Sequence, residues 1–216
     1  MRVDIWSDVV CPWCYLGKRR FERALEAFDH RDAVEVAHRS FQLDPLKPRH
    51  QTSNRRHMLK TKYRLTDAQV QEMDAKMEAM AAAEGLRYRL TDAGTTGNTL
   101  DSHQLLHLAK ERGIQDAVLE RLYRAYFTEQ RSLFDRDSLV MLATESGLDT
   151  NEARRVLERD GYVDAVAADV NEARSLGVSG VPFFVIGGRY RVSGAQAVEV
   201  FSQALARVWE EGLTAS

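Results

Sequence analysis

Cysteine is scarce in this chain, whose 216 residues include only Cys11 and Cys14. A disulfide framework is therefore excluded, and one bridge across three residues would stabilise the fold by at most about 2 kcal/mol. Long apolar runs are also missing, since no stretch approaches the roughly 20 apolar residues of a transmembrane helix. The net charge of −2 gives no basis for a nucleic-acid partner. The sequence thus predicts neither a membrane nor a nucleic acid as partner.

The first residues, Met1 to Asp4, already have the pattern of a strand and show no apolar signal segment. We therefore expect a cytoplasmic protein, in a compartment where thiols are normally kept reduced. A closely spaced pair of cysteines there favours catalysis or redox sensing over a structural bridge.

The two cysteines belong to the sequence Cys11-Pro12-Trp13-Cys14, between an apolar strand and an amphipathic helix. Because proline is favoured at the first helical position, Pro12 predicts that Cys11 is the N-cap residue. A sulfur there faces unpaired N–H groups and the positive end of the helix dipole, which both favour the thiolate. We expect Cys11 to be the accessible nucleophile and Cys14, one turn later on the inward face, to be the shielded resolving thiol.

Zinc binding is an alternative, because His103 and His107 are four residues apart on a predicted helix. Cys-x2-Cys with His-x3-His is the ligand spacing of a zinc finger. In a finger about a dozen residues separate the two pairs, whereas nearly ninety separate them here. This separation favours a redox dithiol, with an inert structural bridge as the remaining alternative.

Strand patterns occur near both ends of the chain. Residues 34–43 alternate as a strand does, and the prolines that follow mark a plausible domain boundary. Residues 183–186 and 189–193 predict a hairpin with a two-residue turn at Gly187-Gly188.

The intervening residues, roughly 50–160, have helical patterns. The segment from Thr66 to Gln69 has the pattern of a capping box and opens a helix with Val70, Met73 and Met77 on its inward face. Without this region, the order is strand, helix, strand, helix, strand, strand, helix. The sequence therefore predicts an α/β protein with a thioredoxin fold in two parts, residues 1–49 and 161–216, and an all-helical insertion at residues 50–160.

Five segments resemble the FrnE-like branch of the DsbA family of thiol-disulfide oxidoreductases. They are Val3 to Lys18, Phe41 to Pro45, Asn98 to Ala109, Gly180 to Val185, and Val192 to Gln196. The resemblance spans nearly the whole chain and implies a DsbA-like thioredoxin fold with a helical insertion. It also implies thiol-disulfide exchange on thiol- or disulfide-bearing proteins or small molecules, with no bound cofactor.

The resemblance further implies that Val181-Pro182 is a cis-proline loop beside the dithiol, where the Val181 backbone pairs with a substrate peptide. Pro12 and Trp13 complete the candidate substrate-binding residues, and as the pair between the cysteines they would tune the redox potential.

Two carboxylates near the dithiol have candidate or open roles. Asp4 lies on a strand expected to be central and buried, so it is a candidate proton acceptor for Cys14. The negative charge of Asp8, three residues before Cys11, would oppose a thiolate there unless the side chain turns away.

Kappa-class glutathione transferases and 2-hydroxychromene-2-carboxylate isomerases resemble the same insertion architecture. A glutathione-dependent isomerase or transferase is therefore the second hypothesis, and glutathione is a candidate co-substrate. Those relatives typically act through a single serine or thiol, so two cysteines favour dithiol exchange. The third hypothesis is a non-catalytic zinc or interaction module. No sequence feature predicts an oligomeric state.

Overall fold

The computed structural model describes residues 1–90 and 94–214. The chain divides into a thioredoxin unit, Met1–Phe41 with Asp169–Ser216, and a helical unit, Gln42–Ala168. Residues 42–49, which the sequence predicts to be in the first part of the thioredoxin domain, belong to the helical unit. The reason is that the Asn98 side chain donates hydrogen bonds to the carbonyl oxygens of Pro45 (3.5 Å) and Lys47 (2.7 Å).

The described strands and helices follow one another in the expected order. The strands are β1 (Arg2–Ser7), β2 (Glu35–Ser40), β3 (Thr52–Asn54), β4 (Thr95–Gly97), β5 (Phe183–Ile186) and β6 (Tyr190–Ser193). The helices are α1 (Pro12–Glu26), α2 (Arg55–Tyr63), α3 (Asp67–Ala83), α4 (Leu100–Glu111), α5 (Gln115–Phe127), α6 (Arg136–Glu145), α7 (Thr150–Arg159), α8 (Val163–Ser175) and α9 (Val198–Thr214). A short 3-10 turn, Arg31–Ala33, precedes β2.

The thioredoxin unit is built on a four-stranded sheet of order β2-β1-β5-β6. Strand β1 is parallel to β2, because α1 carries the chain back across the sheet, and antiparallel to β5. Strands β5 and β6 form the terminal hairpin. This arrangement confirms the predicted α/β thioredoxin fold with an insertion.

Alternation along β1 divides the core of the thioredoxin unit between the two faces of the sheet. Val3 and Ile5 pack with a cluster that includes Phe21 of α1, Phe184 of β5 and Phe201 of α9. The three phenylalanine rings have centroids 4.7 to 5.7 Å apart. Trp6 points to the other face and packs with residues of α8 and β5. Helix α1 is thus held over the sheet by aromatic packing along its inward side.

The helical unit confirms the predicted capping box, in which the Gln69 N–H and the Thr66 hydroxyl are 3.3 Å apart and the reciprocal bond is 2.8 Å. Two details of the prediction are wrong. The insertion is not all-helical, because β3 and β4 form a two-stranded antiparallel sheet. Met73 is 37% exposed, since Asp74 turns inward and forms a two-bond ion pair with Arg55 at 2.8 and 2.9 Å.

The hairpin between β5 and β6 has a three-residue turn rather than the predicted two, because Ile186 pairs with Tyr190. Gly187 and Gly188 have φ values of +60° and +74°, in the left-handed region that favours glycine. A Cβ added at Gly187 would overlap the Val208 side chain of α9, whereas one at Gly188 would meet nothing within 4 Å.

This difference makes the two glycines a matched pair for a stability test. Alanine in the left-handed conformation costs roughly 1 to 2 kcal/mol at either position. Overlap with Val208 adds about 1 to 3 kcal/mol at Gly187 alone. Urea unfolding should therefore show a larger loss of unfolding free energy for Gly187→Ala than for Gly188→Ala. Equal losses would contradict the close packing of the turn against α9.

Candidate active site

The connection from β1 to α1 places the first cysteine. The Cys11 N–H donates to the Asp8 carbonyl at 3.0 Å, which closes a tight turn after the strand. Cys11 has extended backbone angles (φ −89°, ψ 112°), and Pro12 is the first residue of α1. The predicted N-cap position of Cys11 is therefore confirmed.

The first turn of α1 favours negative charge on the Cys11 sulfur. Its residues include no acidic side chain that would neutralise the positive end of the helix dipole. The Cys11 side chain forms no capping hydrogen bond, so its sulfur is not committed to the helix backbone. The positive end of the helix dipole, which no acidic side chain of this turn neutralises, favours negative charge on the Cys11 sulfur.

The exposure of the motif differs from the sequence prediction. Cys11 is only 4% exposed, Cys14 is 1% exposed, and Trp13 between them is 44% exposed. Cys11 is more covered than an N-cap position predicts, because the Val181 carbonyl lies 3.6 Å from its sulfur and accepts a weak S–H hydrogen bond. Both cysteines are free thiols.

The Cys14 thiol is held in its protonated form. Burial raises its pKa well above the usual value of 9.0, and the hydrogen bond and the charge of Cys11 raise it further. A hydrogen bond with the Asp8 backbone lowers the pKa, while the charge of the Asp8 carboxylate raises it. At neutral pH, Cys14 therefore needs to lose a proton before it can act as a nucleophile.

The segment Val181-Pro182 lies against the beginning of α1. The peptide bond between these residues is cis. The Pro182 carbonyl accepts a hydrogen bond from Gly194 N–H at 2.8 Å, so the segment is fixed from the hairpin side. A Cβ added to Gly17 would lie 2.9 Å from Pro182 Cγ and 3.4 Å from Ala195 Cβ. Gly17 therefore permits a close approach that any other residue would prevent.

We did not assign Gly17 a role from the sequence. A glycine inside a helical pattern costs about 1 kcal/mol relative to alanine, which is itself a signal that packing or function requires it. Arg20 reinforces the same contact, because its side chain donates a 2.9 Å hydrogen bond to the Ala195 carbonyl.

Asp4 is engaged by arginines. Its carboxylate accepts hydrogen bonds from Arg39 at 2.8 Å and from Arg2 at 3.1 Å. Arg39 also contacts Asp169 at 3.0 Å, so Asp4 belongs to a charge network between β1, β2 and α8. The largest influences on the Cys14 thiol come from burial, Cys11 and Asp8 rather than from Asp4. None of these interactions joins Asp4 to Cys14, so they do not support Asp4 as the proton acceptor for Cys14.

Residues 1–90 and 94–214 contain neither a metal-binding cluster nor a membrane-crossing helix. No group of three or more histidine, cysteine, aspartate or glutamate side chains there has an arrangement that could hold a metal ion. Within the same residues, no helix has both the length and the apolar character needed to cross a membrane. The zinc-site alternative therefore gains no support from the described residues.

The chain is similar to known proteins over nearly its whole length. A family model for the DSBA-like thioredoxin domain matches residues 2–206. A crystal structure of a probable DsbA oxidoreductase from Streptomyces coelicolor is 52% identical, covers 98% of this chain and 91% of that one, and has a TM-score of 0.94. This similarity extends from the fold to the sequence.

Two more distant structures share the fold. One, 2-hydroxychromene-2-carboxylate isomerase, is 16% identical, with full coverage of both chains and a TM-score of 0.70. The other is the cytosolic disulfide reductase DsbM from Pseudomonas aeruginosa with glutathione, which is 17% identical over 97% of this chain and 100% of that one, with a TM-score of 0.66.

The raised pKa of Cys14 predicts unequal reactivity of the two thiols. We expect Cys11 in a Cys14→Ala variant to react with iodoacetamide at pH 7 at least roughly tenfold faster than Cys14 in a Cys11→Ala variant, because only the thiolate reacts. Mass spectrometry of timed samples measures both rates. In urea-unfolded protein the two rates should become equal, which is the control. A native Cys14 that reacts as fast as Cys11 would contradict this account of the site.

The close approach at Gly17 predicts a second effect. Gly17→Ala should displace Pro182 from α1 and slow the reaction of Cys11 with oxidised glutathione by roughly tenfold or more. Gly212→Ala is the matched control, since this α9 glycine has nothing within 4 Å of an added Cβ. Stopped-flow measurement of the two variants tests the prediction, and an unchanged rate for Gly17→Ala would show that the Pro182 contact does not influence Cys11.

Proposed function

This chain belongs to the DSBA-like thioredoxin domain family, and on that premise we propose that it is a thiol-disulfide oxidoreductase acting through Cys11 and Cys14. The observation that supports the proposal is that the two sulfurs lie in environments that favour different protonation states. Cys11 caps α1 where negative charge is favoured, whereas burial keeps the proton on Cys14. A nucleophile paired with a protected second thiol is what dithiol-disulfide exchange requires.

The proposed reaction has two displacement steps. The Cys11 thiolate attacks one sulfur of a substrate disulfide, and the other substrate sulfur leaves as a thiolate that takes a proton from solvent. Cys14 then loses its proton and attacks the Cys11 sulfur, which breaks the mixed disulfide and releases the second substrate thiol. The substrate is reduced by two electrons and the protein is oxidised to the Cys11–Cys14 disulfide. The reverse sequence oxidises a dithiol substrate.

Substrate binding is proposed for the groups around Cys11. Trp13 presents a 44% exposed aromatic side chain directly after the nucleophile, and the Val181 backbone lies in contact with the sulfur. Pro12 and Pro182 flank these two groups in sequence. A polypeptide or small-molecule disulfide that reaches Cys11 would meet these four residues first.

Glutathione is the proposed small-molecule co-substrate, and the cytoplasm is the proposed location. Both follow from the sequence prediction and are consistent with the similarity to a cytosolic disulfide reductase that was solved with glutathione. The five segments named above support placement in the FrnE-like branch.

The isomerase alternative rests on the similarity of fold to 2-hydroxychromene-2-carboxylate isomerase. Dithiol exchange requires a second thiol, whereas an isomerase acting through one sulfur does not. An isomerase acting through a single sulfur would keep its turnover in a Cys14→Ala variant, whereas a dithiol enzyme would lose turnover and accumulate a mixed disulfide.

The decisive test compares the two single-cysteine variants. After incubation with oxidised glutathione or a disulfide-bearing protein and acid quenching, Cys14→Ala should carry a covalent adduct on Cys11. Cys11→Ala should trap little, because its remaining thiol is buried and protonated. Mass spectrometry of the intact variants measures the adducts. Comparable adducts on both variants, or none on Cys14→Ala, would refute the proposed function.

A further inference from the structure

Helix α1 presents two residues on the face that meets the segment before β5. Gly17 leaves room for this segment, since an added Cβ would lie 2.9 Å from Pro182 Cγ and 3.4 Å from Ala195 Cβ. Arg20 lies three residues later and is therefore next to Gly17 on the helix surface. Its guanidinium donates a 2.9 Å hydrogen bond to the Ala195 carbonyl. The exchange reaction proposed above does not use Arg20, so this bond has a purpose still to be assigned.

The bond reaches residues 193–196, the β6–α9 turn, which is closed by hydrogen bonds of its own. Gln196 N–H donates to the Gly194 carbonyl at 2.9 Å, and the Gln196 side chain donates to the Ser193 carbonyl at 2.8 Å. Gly194 N–H donates in turn to the Pro182 carbonyl at 2.8 Å. A restraint on this turn is therefore transmitted to Pro182 through hydrogen bonds that resist deformation.

The same segment contacts the nucleophile one residue earlier. The carbonyl oxygen of Val181, which precedes Pro182, lies 3.6 Å from the Cys11 sulfur. The contacts thus run from Arg20 to the β6–α9 turn, from this turn to Pro182, and from Val181 to Cys11. Cys11 is the N-cap of α1, and Arg20 belongs to the same helix. The segment is therefore restrained against one helix at two places.

We propose that Arg20 is a positioning residue for attack on a disulfide, because its hydrogen bond to the β6–α9 turn holds the Val181 backbone beside the Cys11 sulfur. The inference rests on the proposed function and adds the residue that keeps the substrate aligned. Attack requires the three sulfur atoms to lie nearly in line, so a fixed backbone beside Cys11 limits the orientations in which a disulfide can bind. Release of this backbone lowers the fraction of bound substrate that is ready to react.

Two reagents separate positioning from general damage to the site. With oxidised glutathione, the Cys11 thiolate bonds to one sulfur, and the other sulfur leaves with the electron pair and takes a proton from solvent. This reaction needs the peptide arms of glutathione to be placed beside Cys11. Iodoacetamide is a small reagent that the same thiolate attacks at carbon, with iodide as the leaving group, and it needs no such placement. Loss of Arg20 should therefore slow the first reaction and not the second.

The experiment measures both rates at Cys11 in a Cys14→Ala background at pH 7, by acid quenching and mass spectrometry. Arg20→Met should slow formation of the glutathione adduct about tenfold, because methionine keeps a long apolar side chain but has no donor for the Ala195 carbonyl. It should leave the rate of alkylation unreduced. Arg20→Lys should restore part of the glutathione rate, since its ammonium group donates hydrogen bonds.

Arg31→Met is the matched control. The Arg31 side chain also donates to a backbone carbonyl, that of Glu26, at 3.0 Å. Glu26 is the last residue of α1, at the opposite end of the helix from Cys11. The control therefore loses the same kind of hydrogen bond without touching the β6–α9 turn, and both of its rates should equal those of the Cys14→Ala protein.

A glutathione rate in Arg20→Met equal to that with Arg20 intact would overturn the inference. Equal slowing of both reactions would also overturn it, because that result would indicate a general loss of structure, and so would an Arg20→Lys variant no faster than Arg20→Met. Should urea unfolding show that Arg20→Met does not fold, Arg20→Gln is measured in its place with the same outcomes. Failure of the proposed function is distinguishable, since Cys14→Ala would then form no adduct even with Arg20 intact.

Discussion

The hydrogen bond from Cys11 N–H to the Asp8 carbonyl is the constraint on which the site depends. It ends β1 and turns the chain so that α1 begins at Pro12, with the Cys11 sulfur at the positive end of the helix. The aromatic packing of Phe21 against the sheet then sets the position of α1. Because of these two restraints, Cys14 turns into the protein and the two sulfurs of one short motif differ in reactivity.

The parts of the structure that the sequence predicted are those encoded by neighbouring residues. Pro12 indicates the N-cap, and the capping box at Thr66 indicates the start of α3, because each depends on residues within one helical turn. The burial of Cys11 was not predictable from its neighbouring residues, since the Val181 carbonyl that contacts its sulfur is 170 positions further along the chain. Only the family resemblance placed Val181 beside the dithiol. The inward turn of Asp74 likewise depends on Arg55, a partner that helical periodicity does not identify.

The shared fold does not by itself distinguish the chemistry of these proteins. Structures with the same fold include an isomerase and a disulfide reductase, so the argument for function depends on the site. In this chain the informative features are two thiols in unequal environments, within a turn that the hydrogen bond from Cys11 N–H to the Asp8 carbonyl closes. The geometry also links Gly17 to the motif, because a Cβ there would meet Pro182, the neighbour of the Val181 residue whose carbonyl contacts the Cys11 sulfur.

The pairing of β1 with β5 joins residues from opposite ends of the chain, with Val3 opposite Ile186. During synthesis the N-terminal part emerges first, and domains generally fold as their sequence becomes complete. The central strand of the sheet must therefore wait for its partner while the whole helical unit is made. Until then Cys11 lacks the Val181 carbonyl and Cys14 lacks its full burial. The contacts that distinguish the two thiols therefore form only after Val181 and strand β5 have been synthesised.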